Sequence, residues 1–258
     1  MPVDDLISRL PKAEVHLHLE GTIAPTTLWD MAQANHVALP FATVADLQAQ
    51  YQFTSFRHFI ELWLLMCSCL RAEDDYRRMV DGFLSECGRQ NIRYAECHFT
   101  PYNHEQGIGG RRALQIVSRR LAGSESAGGP VVRLIVDIPG ESAEHSAPYT
   151  LSLLEEEADP LVVALGLGGP EEGFPRARFA PWFDRARAAE DPSVLRLLRE
   201  WRRAHGELGV SIGELWDINL NGLRYGLADT AVRRRLLREF VDARGPAREP
   251  AAPGEGKG

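Results

Sequence analysis

Two histidines and a glutamate alternate near the start of the chain, in the stretch AEVHLHLEG at residues 13–21. Residues 14–19 have the composition of a short buried strand, in which side chains two positions apart project from the same face. We therefore expect His16, His18 and Glu20 to share one side of a strand, and Val15, Leu17 and Leu19 to share the other. Two neutral imidazoles near the carboxyl end of a strand suit a divalent metal that prefers nitrogen ligands, and zinc is the first choice. The alternative is a pair of core histidines, each hydrogen-bonded to the backbone.

Length and charge narrow the classes of protein to consider. The chain has 258 residues, of which 44% are apolar, and this suits one large α/β domain better than two small ones. A net charge of −7 argues against a nucleic-acid partner, which would need a basic stripe to neutralise phosphates. The run Arg233, Arg234 and Arg235 falls in a helical pattern, and we interpret it as a solvated helix face.

The first fourteen residues and the cysteines indicate the compartment. Residues 1–14 carry acids where a secretory signal needs positive charge, and no apolar segment approaches the length of a membrane span. We therefore predict a cytoplasmic protein without a membrane partner. The four cysteines form no CxxC pair and are expected to be reduced thiols of the core; they are Cys67, Cys69, Cys87 and Cys97.

Four apolar strands separated by helices are predicted in the first two thirds of the chain. The strands are residues 14–19, 91–101, 131–140 and 161–169. The helices between and beside them are predicted at residues 25–35, 54–70, 73–88, 111–121 and 147–157, the last with Pro148 in its first turn. Strands that are apolar throughout indicate a parallel sheet covered on both faces, as in a β/α barrel or a doubly wound sheet.

After residue 170 the alternation stops and only helical patterns remain. They cover residues 179–189, 193–205, 212–220 and 230–243, and no fifth strand is found. The low-complexity residues at the end cannot bury enough surface to fold. We therefore predict one domain over residues 1–243 and a disordered tail over residues 244–258.

Several segments of this sequence resemble the adenosine deaminase family, whose members are metal-dependent aminohydrolases with a TIM barrel. The similar segments occur in the family's order; they are LPKAEVHLHLEG, SFRHFIELW, LRAEDDY, RYAECHFTPYNH, ALGLGGPEEGFPRARFAPWFDRAR and REWRRAHGELGVSIGELWDINLNGLRYGLAD. In the last segment, Asn221, Leu223 and Tyr225 are similar to a pattern in the family's C-terminal helix, and plain helix packing explains them equally well. The resemblance implies a TIM-barrel-like α/β fold.

The resemblance also implies roles for individual residues. His16 and His18 match the first two metal ligands, and His18 also lines the substrate pocket. Glu20 matches an acidic position that contacts the substrate, and Gly169 matches a glycine whose backbone meets the purine. An ordinary strand-end carboxylate and a turn glycine are the alternatives for these two. The implied reaction is zinc-dependent attack of water on C6 of adenosine or a related 6-aminopurine, with release of ammonia.

Other parts of the family's catalytic set are absent from this sequence. The family's His-Ala-Gly-Glu and Asp-Asp-Pro strings do not occur, and the one His-Gly pair, His205 and Gly206, ends a predicted helix. No catalytic residue is therefore assigned. Residues 189–200 align either with the Asp-Asp-Pro segment, which would bring Glu190 and Asp191 near the metal, or with a plain helix, and both alternatives stay open.

The absent strings imply that the segment carrying barrel strands five to eight is missing. Four parallel strands cannot close a barrel, so we expect an incomplete one. A chain with an incomplete barrel would form an open sheet plugged by the C-terminal helices, associate with a second copy through its open sheet edges, or aggregate. Of these three outcomes we favour the open sheet. A metal with two protein ligands would be held weakly, so we expect weak zinc binding and little or no deamination by this chain alone.

Three functions compete at this point. The first is a deaminase of adenosine, free adenine or another adenine-containing metabolite. The second is a catalytically inactive, truncated member of the family. The third, another zinc amidohydrolase with the same His-x-His strand, is disfavoured because the lead-in at residues 10–12 and the stretch FPRARFAPWF resemble the deaminases specifically.

Overall fold

The computed structural model of the chain describes residues 9–156, 159–169, 176–188, 220, 222–224 and 226–244. Within these residues four parallel strands form one sheet in the order β1-β2-β3-β4. The strands are β1 (Lys12–His18), β2 (Ile92–Phe99), β3 (Val131–Pro139) and β4 (Val162–Gly168). The predicted architecture is therefore confirmed: the fold is α/β, with the open parallel sheet of an incomplete TIM-like barrel.

Helices connect the strands in the manner of β/α units. They are α1 (Pro25–Ala34), α2 (Val44–Ala49), α3 (Phe56–Cys69), α4 (Glu73–Gln90), α5 (Gly110–Ser126), α6 (Ala143–Glu156), α7 (Ala180–Ala188) and α8 (Thr230–Arg244). Short 3-10 turns follow β1, β2 and β3 and precede α7; they are Leu19–Thr22, Pro101–His104, Gly140–Ser142 and Arg176–Phe179.

Local sequence explains where several helices begin and end. Thr43 and Asp46 form a reciprocal capping box that starts α2. Ser55 accepts a hydrogen bond from the backbone N–H of His58 and so caps α3. Asp75, in the acidic first turn of α4, accepts from the backbone N–H of Ala72.

The outer face of the sheet carries the main apolar core. From β2 it buries Ala95, Cys97 and Phe99, and from β3 it buries alternate residues beginning at Val132. These side chains pack against α1, α3, α4 and α5. A smaller apolar cluster joins the ends of β3 and β4 to α6 and α7 through Ile138, Leu165 and Phe179.

The inner face of the sheet, which would line a closed barrel, is covered at its N-terminal end by the C-terminal part of the chain. Phe240 and Leu236 of α8, with Leu223, pack against Tyr94 of β2 and Val131 of β3. Phe240 and Tyr94 are fully buried. The expected open sheet plugged by C-terminal helices is confirmed in this respect, whereas self-association through the edge strands stays a prediction.

Three sequence-based expectations need correction. Helix α2 was not expected, although the Thr43–Asp46 capping pair marks its start. Helix α6 begins at Ala143 and not near residue 147, so Pro148 lies inside the helix and not in its first turn. Strand β1 ends at His18, so Glu20 belongs to the following 3-10 turn and not to the strand.

The structure also bears on the predictions for the cysteines, the arginine run and the C-terminal segments. The four cysteines are buried and unpaired, as predicted. Arg234 and Arg235 are exposed above the buried Leu236, as a solvated helix face requires. Among the described residues, no helix has both the length and the apolar character needed to cross a membrane. The segment 193–205, nearly all of 212–220 and the tail beyond Arg244 lie outside the described residues.

Candidate metal and substrate site

The carboxyl ends of β1, β2 and β3 bring together His18, His98 and Asp137. His18 and His98 are direct register partners in the parallel ladder, and Asp137 follows two residues after Ile135, the partner of His98 on β3. All three side chains project from the inner face, beyond the apolar plug. Their nitrogen and oxygen donor atoms lie within 4.8 Å of one another. This is the end of a parallel sheet at which active sites of barrels are built.

His98 and Asp137 form a buried pair. Nδ1 of His98 lies 2.9 Å from Oδ1 and 3.1 Å from Oδ2 of Asp137. A carboxylate can only accept, so Nδ1 carries the proton. Burial by itself would lower the pKa of His98, but the adjacent Asp137 carboxylate and its hydrogen bond outweigh burial, and the net shift is upward. Nε2 of His98 is buried and has no partner among the described residues.

His18 and His16 flank His98. Nδ1 of His18 lies 3.8 Å from Oδ2 of Asp137, and the rings of His18 and His98 are 5.0 Å apart between centroids. The ring of His16 is 4.5 Å from that of His98 and 5.8 Å from that of His18, which brings the two predicted ligands of β1 close together. The donor atoms that converge with His18 are nevertheless those of His98 and Asp137. Metal binding by the His16 and His18 pair stays a prediction.

An irregularity in β1 explains the position of His16. The register of β1 against β2 shifts between Glu14 and Leu17. A shift of this kind breaks the strict alternation of faces. Val15 packs with the inner-face cluster and Leu17 with the outer core. The expectation that Val15 and Leu17 point to the same side is therefore wrong.

Glycines of β4 make room for the Asp137 carboxylate. Gly166 is the register partner of Asp137, and a Cβ at that position would overlap Oδ1 of Asp137. A Cβ on Gly168 would lie 3.3 Å from Oδ2 of the same carboxylate. Gly169 has a φ of +82°, and a Cβ there would overlap Oε2 of Glu141. Gly169 thus has a conformational reason to be glycine, and its predicted contact with a purine stays a prediction.

Glu20 lies in a second buried cluster, with His104 and Cys67. Its Oε1 accepts from the backbone N–H of Thr100 at 3.1 Å and lies 3.3 Å from Nε2 of His104. Cys67 contributes the third polar atom, and burial raises the pKa of its thiol well above the ordinary value. The observed contacts of Glu20 tie the turn after β1 to the turn after β2. With no exposed surface, Glu20 does not face a solute in this structure, and its predicted substrate contact stays a prediction.

The family model described as adenosine deaminase matches residues 11–195, more than half of the chain. The chain belongs to the adenosine deaminase family. The family assignment made from the sequence motifs is thereby confirmed.

Curated members of the adenosine deaminase family share about a third of this sequence. The aminodeoxyfutalosine deaminase of Streptomyces avermitilis is 37% identical over 192 residues, which cover 73% of this chain and 53% of that protein. The adenine deaminase of Bordetella parapertussis is 33% identical over 256 residues, covering 94% of this chain and 74% of that protein. The chain thus spans about half the length of the first relative and three quarters of the second.

Solved structures show the same fold at lower identity. An adenine deaminase from Arthrobacter aurescens superposes with a TM-score of 0.80 at 21% identity, over 90% of this chain and 98% of that one. A cog1816 amidohydrolase solved with bound Zn has a TM-score of 0.63 at 23% identity, over 72% of this chain and 51% of that one. At these identities the likeness is one of fold.

Sequence reasoning missed His98 and Asp137 as members of the site. Each is a polar residue near the carboxyl end of a largely buried strand, but neither has a second histidine two positions away, which is the spacing by which His18 was chosen. The register that sets them level with His18 is a property of the folded sheet, and the sequence alone does not contain it.

Proposed function

We propose that this chain performs hydrolytic deamination of a 6-aminopurine, replacing the amino group with oxygen from water and releasing ammonia. The observation that carries the proposal is the convergence of His18, His98 and Asp137 at the carboxyl end of the sheet, within the stretch matched by the deaminase family model. Neutral imidazole and carboxylate are the donor types that hold catalytic zinc. The donor set therefore fits the metal that the family resemblance implies.

The described residues would hold a divalent metal and shape the space beside it. His16 and His18 are the ligands expected from the resemblance, and the buried Nε2 of His98 is a polar atom that still lacks a partner among the described residues. Zinc, when bound, supplies Lewis acidity that makes water a better nucleophile near neutral pH. Asp137 is hydrogen-bonded to His98, and the ring of Trp63 lies 6.1 Å from that of His18.

The substrate proposed is an adenine-containing compound, and the relatives indicate which to test first. They are described as deaminases of adenine and of aminodeoxyfutalosine. Adenosine is the third candidate, from the resemblance in the sequence. In each case we propose that the backbone of Gly169 approaches the purine, as the family resemblance implies.

A second candidate function is that of a catalytically inactive family member. The absence of the His-Ala-Gly-Glu and Asp-Asp-Pro strings from the sequence favours it. Such a chain would keep the fold and the metal-ligand cluster without a group that delivers protons to the leaving ammonia.

A substrate panel separates the two candidates. The purified chain, loaded with zinc, is incubated with adenine, adenosine or aminodeoxyfutalosine, and ammonia release is measured together with the change in ultraviolet absorbance. We expect ammonia from at least one compound, loss of that activity on chelation and in His18→Ala, and no loss in the exposed-site control His145→Ala. Absence of ammonia from every compound, with metal bound, would identify the inactive member.

A further inference from the structure

We infer that His18, His98 and Asp137 together form a three-ligand site for a divalent transition metal, built entirely from β1, β2 and β3. The sequence motifs assign only His16 and His18 to the metal and leave the remaining ligands to strands that the sequence lacks. This inference concerns metal binding and does not depend on the proposed deamination, because a metal site can be complete while the proton-transfer groups are absent.

Two of the donor pairs lie close to the spacing of ligands around zinc. Two protein ligands about 2.0–2.2 Å from a tetrahedral zinc ion lie roughly 3.3–3.6 Å from each other. Nδ1 of His18 and Oδ2 of Asp137 are 3.8 Å apart, and Nδ1 of His98 and Oδ1 of Asp137 are 2.9 Å apart. Both distances are within a few tenths of an ångström of ligand spacing, and the donor atoms of all three residues lie within 4.8 Å of one another. A cation bound there would take the place of the proton between His98 and Asp137.

His98 lies among further donors. Its side chain is only 10% exposed, and it lies between the imidazole rings of His16 and His18 and beside the Asp137 carboxylate. Imidazole nitrogens and a carboxylate oxygen gathered in one place are the donor types that a divalent transition metal takes.

Strand β4 leaves space for the Asp137 carboxylate. Gly166 and Gly168 lie on the inner face beside the carboxylate, and a side chain at Gly166 would overlap it. Asp137 is only 1% exposed, so its charge is removed from water with His98 as its nearest partner. A buried carboxylate needs compensating charge or hydrogen bonds, and a divalent cation shared with two imidazoles supplies charge directly.

The test is cobalt binding by the full chain after removal of metal with a chelator. Co²⁺ in a site with two nitrogen ligands and a carboxylate gives visible absorption, and titration yields the stoichiometry and the affinity. We expect one Co²⁺ per chain, competition by Zn²⁺, and an affinity loss of about 10-fold to 100-fold or more in His98→Ala and Asp137→Asn. The matched controls are His145→Ala and Asp30→Asn, at exposed positions, which should bind as the unaltered chain does.

A second variant separates loss of a ligand from loss of folding. The amide of His98→Gln can donate to Asp137 but is a poor ligand for cobalt, so the variant should keep the circular dichroism spectrum and lose the visible absorption. The inference is overturned if the unaltered chain binds no Co²⁺ in the visible assay. It is equally overturned if His98→Ala and Asp137→Asn bind as tightly as the controls, as they would if His16 and His18 held the metal alone.

Discussion

Nδ1 of His98 lies 2.9 Å from Oδ1 of Asp137 across the neighbouring strands β2 and β3, with both side chains buried. This contact fixes the imidazole at the carboxyl end of the sheet, directly beside His18. Hydrogen bonding of a ligand's second nitrogen, or joint coordination with a carboxylate, is how proteins orient histidine toward metals. The three ligands of the proposed metal site thus come from β1, β2 and β3.

Gly166→Ala is predicted to disrupt this cluster. The new methyl group would overlap Oδ1 of Asp137, and the carboxylate would have to rotate away from His98. We expect Co²⁺ affinity to fall by at least about 10-fold, the range observed when the groups that orient a ligand are altered. The titration of visible absorption measures it.

Gly82→Ala is the matched control for that substitution. Gly82 lies at an exposed position in the middle of α4, and a Cβ there would meet no atom within 4 Å. Replacing glycine by alanine inside a helix should raise the free energy of unfolding by about 0.5–1 kcal/mol and leave cobalt binding unchanged. Equal cobalt affinity in the Gly166→Ala and Gly82→Ala variants would contradict the role of Gly166.

The strands and most helices could be predicted from the sequence because their signals are local. Apolar runs between turn residues located all four strands to within about two residues, and the acidic first turn of α4 located its start. The irregularity near Val15 could not be predicted, because a bulge depends on how β1 pairs with β2. The short helix α2 was missed because six residues are too few for a periodic pattern, although its capping box was present.

The sequence could predict only those site residues that lie close together along the chain. His16 and His18 stand out because they are two apart, whereas His98 and Asp137 are 39 positions apart and meet only through the register of the sheet. The burial of Glu20 was also hidden, since it depends on β1 ending at His18 and on the chain turning inward there.

Phe240→Ala is predicted to destabilise the fold, because Phe240 of α8 covers the inner face of the sheet. Phe240 is fully buried against Tyr94 and Val131, and removal of a buried phenylalanine side chain costs about 3–5 kcal/mol. Urea unfolding followed by circular dichroism measures the loss. Val241→Ala, next along the helix and 59% exposed, should change the free energy of unfolding by less than about 0.5 kcal/mol. Similar values for both variants would mean that α8 does not pack on the sheet.

Glu20→Ala is predicted to destabilise the fold, because the carboxylate is an internal acceptor. Its removal leaves the N–H of Thr100 and the ring nitrogen of His104 without their acceptor, at a cost of about 1–3 kcal/mol for each buried group. Urea unfolding again provides the measurement, with the exposed Glu61→Ala as control. A variant as stable as the control would show that Glu20 is not needed for folding and would favour the substrate contact expected from the family resemblance.

Glu96→Gln is predicted to change how stability depends on pH. Burial raises the pKa of Glu96 above its ordinary value of 4.5, and hydrogen bonds from the Tyr94 hydroxyl and the Leu227 N–H oppose burial only in part. The folded chain therefore holds this proton more tightly than the unfolded chain. The stability that Glu96 contributes is present below pH 4.5 and is lost as the pH rises through the raised pKa.

The glutamine variant keeps the acceptor oxygen for Tyr94 and Leu227 but cannot ionise. We therefore expect the glutamine variant to become more stable relative to the unaltered chain as the pH rises from 4.5 to neutrality. Its free energy of unfolding minus that of the unaltered chain should increase over this interval. Urea titrations at a series of pH values measure this difference, and Glu61→Gln, at an exposed position, is the control. Only a group whose pKa changes on folding links stability to pH. A difference that stays constant over this interval would therefore mean that the carboxylate of Glu96 is ionised as readily in the folded chain as in the unfolded one.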